Sequence, residues 1–566
     1  MTNHNRSTAA VGTVLVTVPT ARPRAEDSTT ARFTLASIAA LAALLATSIA
    51  PATARAQSRT QQTQEIREMR HEIDDLKQEL RELKAAQQKQ SVTAEPAQPP
   101  PTSTATSAPP STVASGATHP SVPVTVSKAG VQVGPVNVKV GGFIEAAGIY
   151  RNRNEVADVG SDYNQGIPFK SSPLAHESET RFSARQSRLS LLTTADVNPQ
   201  THLGAYYEMD FLAAGVTSNS RESFSYTPRS RHLYATLDKD DWGFHVLGGQ
   251  SWSLLTTNGT GILPRTEQIP LTIDAQYVEG FNWLRVPQFR VVEDFGHGVW
   301  AGVSAESPNI VTSPITTPSS GVNYTNSGDA AGLLNNSTTY SNDYVPDFVG
   351  KVAFDPGWGH YEVKGLVRTF TVRSAHENRD TTGWGVGGAA KLPLVPDLLE
   401  LQLSGLVGSG IGRYGSGQLP DAAFRSNLLD LVAVNEWQAL FGVVGHPWSG
   451  NDLYIYGGWE HADRAGAKGV FTDSTSGKFT GAPGYGSPNL DVSGCDTEGG
   501  TCQAQTNDLK QITGGFWQDV YKGNYGRFTV GFQGGEIWRD AFSGKGGKPS
   551  TNVAIFMTSL RYYPMP

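Results

Sequence analysis

The chain has 566 residues, a formal net charge of −7, 17% charged residues, and 61 glycines beside 19 tyrosines, 22 phenylalanines and 11 tryptophans. So mildly acidic and aromatic-rich a composition excludes a basic nucleic-acid binder, and a mean hydropathy of −0.31 excludes a helical membrane protein. It leaves room for a transmembrane β-barrel, where only alternate residues of each strand meet lipid and the loops are polar.

Arg22, Arg24 and Arg32 precede an apolar run from Leu35 to Ile49, and Ala54-Arg55-Ala56 has the small-x-small form of a cleavage site before Gln57. Residues 1–56 therefore read as a secretory signal peptide; the run is short for a membrane span, which needs about 20 residues. Residues 57–90 read as a periplasmic coiled coil. Ile66, Met69, Ile73, Leu76, Leu80 and Leu83 fall at positions a and d, with Glu65, Glu72 and Glu79 at g and Arg70, Lys77 and Lys84 at e, so acids can meet cations across a parallel seam. Its core residues lean towards two strands, but so short a coil leaves the number to the body it joins. Residues 91–135 form a Pro/Ser/Thr/Ala-rich linker, with Pro99, Pro100 and Pro101 in succession, that cannot bury a core.

From 136 to 566 the chain breaks into short segments that alternate apolar and polar residues, which predicts strands. Leu203, Ala205, Tyr207, Met209 and Phe211 form one face, Gly204, Tyr206, Glu208 and Asp210 the other; Phe348, Val352 and Phe354 are likewise opposed to Asp347 and Lys351. About sixteen such segments begin near residues 137, 181, 201, 231, 242, 289, 299, 346, 359, 382, 398, 437, 452, 510, 526 and 552. Their connections alternate long and tight, as in Asn152–Glu179 followed by Val197–Gln200, and Ala214–Ser230 followed by Asp238–Asp241. Long loops at one end and tight turns at the other are how outer-membrane barrels are built. The predicted fold class is thus all-β: a transmembrane antiparallel barrel of about sixteen strands behind an N-terminal helical coiled-coil segment.

The connection Ser251–Gln288 is long yet carries Leu254, Leu255, Ile262, Leu263, Ile269 and Leu271, as suits a loop folded into the pore, where Arg265, Glu267 and Asp274 would set the field. Cations stand on predicted strands at Arg181, Arg185, Arg188, Arg285, Arg290, Lys351, Lys364 and Arg368. Facing lipid at mid-depth each would cost about 2–4 kcal/mol, so most are expected to point inward. There they either attract anions, exchanging bidentate contacts with a passing carboxylate, or pair with Glu208, Asp210, Glu362 and Glu460 and stiffen the wall. The parity of Arg181 and Arg185 differs from that of Arg188, which points to a bulge or a misplaced boundary in the second segment. Cys495 and Cys502 have six residues between them in a Gly/Thr/Asp-rich stretch without histidine, which predicts a local disulfide rather than a metal site. Gly410, Gly412 and Gly415 match G-x-G-x-x-G by glycine abundance, and no zinc-protease or nucleophile-elbow motif occurs. No cofactor, no catalytic residue and no nucleic-acid partner are expected.

Arg181-Phe-Ser-Ala-Arg185-Gln-Ser-Arg188-Leu, Glu208-Met-Asp210-Phe, Gly249-Gln250-Ser-Trp252, Arg285-Val-Pro-Gln288-Phe-Arg290 and Arg561-Tyr-Tyr-Pro564 together resemble the DcaP-type outer-membrane porins, over roughly 137–564. The resemblance implies a homotrimer among outer-membrane lipid and lipopolysaccharide, with a periplasmic coiled coil and arginines at the constriction passing small anionic solutes, dicarboxylates in particular. The chain ends Pro564-Met565-Pro566 rather than on an aromatic residue, so Tyr562 or Tyr563 would take the part of the terminal insertion signal. Two alternatives stay open: an envelope tether whose coil binds peptidoglycan and whose barrel is an anchor, and a barrel hydrolase with scattered catalytic groups.

Overall fold

The computed structural model describes residues 124–127, 130–213, 226–313, 322–326, 340–425, 429–466 and 484–565. The expected signal peptide, the coiled coil and most of the linker lie outside the described residues. Sixteen strands form the body: β1 (Val136–Arg151), β2 (Glu179–Ser183, resumed at Arg188–Asn198), β3 (Thr201–Ala213), β4 (Thr227–Lys239), β5 (Phe244–Trp252), β6 (Arg285–Asp294), β7 (Val299–Glu306), β8 (Asp347–Phe354), β9 (His360–Ser374), β10 (Glu377–Val395), β11 (Leu399–Ser409), β12 (Asn435–Gly445), β13 (Asn451–Ala462), β14 (Thr506–Gly523), β15 (Gly526–Ala541) and β16 (Ser550–Tyr563). Each pairs antiparallel with the next, and β16 pairs with β1 from Ile555 opposite Arg151 to Tyr562 opposite Ile144, which closes the barrel. An N-terminal hairpin, Val124–Ser127 with Gly130–Val133, adds to the start of β1 through Val131 opposite Val138.

Alternation decides which residues face out. On β8 Phe348, Val352 and Phe354 are exposed while Asp347, Val349, Lys351 and Ala353 are buried. On β13 Leu453, Ile455 and Trp459 face out, and Tyr454, Tyr456 and Glu460 are buried inside. Exposed apolar side chains continue round the wall, from Ile144 and Leu189 through Leu233, Phe289 and Val303 to Phe441, Phe532 and Phe556. A belt of this extent is stable only against lipid. The chain is a transmembrane barrel.

Every segment expected from alternation contains a strand; the largest displacement is at β10, which starts at 377 rather than near 382. Connections are tight at the end holding 199–200, 240–243, 295–298, 355–359, 396–398, 446–450 and 524–525. At the other end run loops L1 (152–178), L2 (214–226), L3 (253–284), L4 (307–346), L6 (410–434), L7 (463–505) and L8 (542–549). L5 departs from that asymmetry: it is only Ala375-His376, with φ of 50° and 66°, the left-handed pair that closes a two-residue hairpin. The expected irregularity in the second segment is a break: Ala184–Ser187 leave the ladder, so that odd-numbered Glu179 and Ser183 pair opposite inward Arg151 and Ala147, while even-numbered Arg188 pairs opposite inward Phe143.

The apolar core lies inside the barrel. Val159, Tyr163 and Ile167 of L1, Ile273, Tyr277, Val278 and Phe281 of L3, Leu419 and Ala423 of L6 and Tyr485 of L7 pack in one cluster with Tyr454, Tyr456, Leu509, Trp517 and Ile537 of the wall. The loops therefore fill much of the lumen between them. Cys495 and Cys502 are joined in L7.

Candidate functional site

L3 organises the lumen. Its later half lies against β12–β15: Gly280 N–H donates to Glu460 at 2.8 Å, Glu279 N–H to Gln511 at 3.0 Å, and Asn282 Nδ2 to Gln438 at 2.7 Å, while Trp517 Nε1 donates to the Leu271 carbonyl at 2.7 Å. Contact is close enough that a Cβ at Gly458 would collide with the Glu279 carbonyl oxygen. We expect Gly458→Ala to push L3 off this wall, lowering stability by about 1–3 kcal/mol and raising single-channel current noise; an unchanged melting temperature and a quiet trace would show that L3 does not bear on Gly458.

Its first half is held by cations of β8 and β9. Lys351 Nζ donates to the Thr256 carbonyl at 2.6 Å and to Asn258 Oδ1 at 2.9 Å, and pairs with Glu362 at 3.0 Å. Lys364 Nζ donates to the Leu255 carbonyl at 2.6 Å, and Glu362 accepts from Asn258 N–H at 2.7 Å. On β6, Arg290 Nε donates to Gln288 at 3.0 Å and its guanidinium bonds the Trp252 carbonyl. Arg368 bridges Asp347 at 3.0 Å and Asp421 at 2.6 Å and donates to the carbonyls of Gly410 and Asn309, tying L4 and L6 to the wall. All four side chains are buried.

The wall of β2–β4 is left open to water. Arg181 pairs with Glu179 at 3.1 Å with 45% of its side chain exposed, Arg185 with Asp158 at 3.4 Å and 24%, Arg188 with Glu208 at 4.0 Å and 22%, and Arg229 with Asp210 at 2.7 Å and 34%. Behind them Arg231 is buried, 2.6 Å from Glu208 and 3.0 Å from Asp210. The exposed tip of L3 lies against this wall, where Arg265 has a φ of 72° and stands 6.0 Å from the Tyr206 ring centroid. Arg285 lies over Trp252 at 4.6 Å and Trp283 at 5.2 Å; its Nη1 and the Nε of Arg188 are buried with no partner among the described residues. The field is legible on Tyr277 of L3: burial raises its pKa, but Arg231, Arg188 and Arg285 pull harder and leave it lowered to about 7.

Sequence reasoning thus named inward cations of two kinds. Arg181, Arg185, Arg188 and Arg265 border the open side, whereas Arg290, Lys351, Lys364 and Arg368 are committed to carbonyls and carboxylates; Glu208 and Asp210 pair with arginines. Of the loop acids, Asp274 accepts from Ser161 Oγ at 2.7 Å and Glu267 from Arg265 N–H at 2.9 Å. Arg229 and Arg231 were missed because they stand at or before the expected strand start, and the ladder shifts by one residue between Glu208 and Met209. Their one signal was two arginines at alternate positions. Among the described residues no group of three or more His, Cys, Asp or Glu is arranged to hold a metal ion.

No protein-family model and no curated protein sequence matches the chain. Its architecture, a closed sixteen-stranded barrel with L3 folded inward, is that of the porins. Among solved structures the outer membrane channel DcaP of Acinetobacter baumannii is similar, with a TM-score of 0.53 at 20% identity over 77% of this chain and 98% of that one: the chain has the DcaP-type porin fold. An anion-selective porin from Comamonas acidovorans has a TM-score of 0.40 at 12% identity, covering 76% and 99% of the two chains, and Salmonella typhi OmpF one of 0.41 at 9%, covering 77% and 99%.

Proposed function

We propose that this protein is an outer-membrane porin for passive diffusion of small hydrophilic solutes, preferring anions of dicarboxylate type, with no chemical step and no cofactor. The observation that carries the reading is the partly exposed set Arg181, Arg185, Arg229 and Arg188 on the β2–β4 wall, joined by Arg265 of the L3 tip beside Tyr206. A carboxylate can move between guanidiniums there by exchanging bidentate contacts, so a second carboxylate holds the solute while the first is released. The porin fold supports a homotrimer in the outer membrane. The segments ahead of the barrel fit the same scheme as a cleaved signal peptide, a periplasmic coiled-coil stalk and a Pro-rich spacer. Planar-bilayer recording under a salt gradient, repeated with succinate, tests this: we expect steps in threes, an anion-selective reversal potential, and current block by succinate.

The dense packing of L1, L3, L6 and L7 within the barrel favours a second reading, a barrel that anchors an envelope tether to peptidoglycan. A folded, heat-modifiable protein that carries no current would sink the channel reading and leave the tether as the leading one.

A further inference from the structure

The tight-turn end carries a repeated device that is separate from the arginine ladder. Asp196 of β2 lies 2.6 Å from Nδ1 of His202 on β3, and Nε2 of that ring is 3.2 Å from Asp240 in the next turn. Asp238 of β4 meets His245 of β5 at 2.8 Å, Asp355 meets His360 of β9 at 2.7 Å, and Asp452 of β13 meets His446 at 2.7 Å. Four hairpins are thus each closed by an imidazole and a carboxylate from their two arms. Two others use permanent cations, Lys391 with Glu400 at 3.1 Å and Arg527 with Asp519 at 3.8 Å. Ordinary hairpin closure would be served by lysine or arginine throughout; histidine is the side chain whose unperturbed charge changes between about pH 5 and 8.

Position gives the pairs a further consequence. Asp196, His202, Asp238, Asp240 and His245 line one cavity of about 550 Å³ beneath Arg265 of the L3 tip. Asp355, His360 and His446 line another of about 480 Å³, with Lys391, Glu400 and Asp397. The ring of His360 also faces Glu362 at 3.1 Å and that of His245 lies beside Trp300. Each imidazole proton offsets one carboxylate, with Asp240 beside His202 and Glu362 beside His360 as further acids, so loss of the four protons makes the mouth more negative by four charges.

We propose that these four histidine–aspartate clasps make the tight-turn mouth a pH-dependent charge filter, which admits anions when protonated and turns them away when not. The proposal rests on the channel reading. Without the protons its sign is opposite to that of the arginine ladder, and with them the opposition is weaker. Salt screens charges over about 10 Å at 0.1 M, so the filter acts on solutes within the two cavities.

The test is the anion-to-cation permeability ratio at about pH 5.5 and about pH 8, with each face of the bilayer titrated in turn, for the wild type, for His202→Gln/His446→Gln and for the fourfold His→Gln variant. Glutamine keeps a donor to each aspartate but does not titrate. We expect the wild-type ratio to fall severalfold towards alkaline pH when the tight-turn face is titrated, and little when the other is. The double variant should lose part of the response and the fourfold variant all of it. A conducting wild type whose ratio ignores pH, or a fourfold variant that keeps the response, overturns the filter alone. Histidine ring resonances of the micellar protein that stay fixed between those pH values overturn it without recourse to conductance, and a barrel silent at every pH removes the channel reading and the filter together.

Discussion

Arg368→Leu is expected to lower the stability of the barrel by about 3–5 kcal/mol, the cost of leaving a buried carboxylate without its partner. Arg368 is sealed from water and holds two acids, Asp347 and Asp421, that come from β8 and L6; it also donates to carbonyls at Gly410 and Asn309. Without it both acids keep some company. Asp347 still accepts from Tyr414 Oη at 2.9 Å and lies 3.4 Å from Arg413, and Asp421 still accepts from the backbone N–H of Val311 at 2.8 Å. Arg413 leaves Asp347 a cation, but Asp421 loses its ion pair and keeps only backbone N–H donors. The measurement is the midpoint of unfolding in denaturant, read with heat-modifiability on gels. A variant within 1 kcal/mol of the wild type would mean that the acids reprotonate or rehydrate freely, and that L4 and L6 are not fixed through this residue.

Neutralising the open wall should do the reverse, changing selectivity with little change in stability. A unit charge about 6 Å from a solute in water-like surroundings is worth about 0.7 kcal/mol, or about threefold in local anion concentration. Arg181→Gln/Arg188→Gln/Arg229→Gln is therefore expected to reduce the anion-to-cation permeability ratio by roughly tenfold or more. Arg231 would stay on both Glu208 and Asp210, so neither carboxylate is left without a cation. Lys364→Met serves as the contrast: its ammonium lies beneath L3 on the Leu255 carbonyl and Thr257 Oγ1, and its loss should alter stability more than selectivity. Equal permeability ratios for the triple variant and the wild type would remove the ladder from the solute path.

The barrel was legible in the sequence because two periodicities reinforce each other. Alternation marks each strand, and the tight turns fix where one ends and the next begins. Where one of them fails, the reading slips: β10 begins early because Glu377–Thr381 continue the strand with polar residues, and L5 was not recognised as a turn because Ala375 and His376 adopt left-handed conformations without glycine. The parity mismatch between Arg181 and Arg188 did foretell an irregularity, and the break at Ala184–Ser187 accounts for it.

The fate of each inward cation was not legible. Lys351 and Arg188 look alike in sequence, both on strands opposite carboxylates. What distinguishes them is whether loop carbonyls reach them, those of Thr256, Asn309 or Gly410 for the buried set and none for Arg188. That depends on how L3, L4 and L6 pack on the interior, a contact between segments far apart in the chain. The histidine–aspartate pairs share no common spacing or order in the sequence, and only strand register shows that the partners face each other.

The hairpin ahead of β1 determines how the barrel would respond to mechanical load. Traction on the upstream chain reaches Val124 first, whose partner is Val133, then Thr125, Val126 and Ser127 in turn. Pairs loaded singly in this way peel apart at low force, whereas a strand pulled along its length resists with all its bonds together. Slack of a few residues would be released before any tension reached β1, so the hairpin would yield ahead of the sixteen strands.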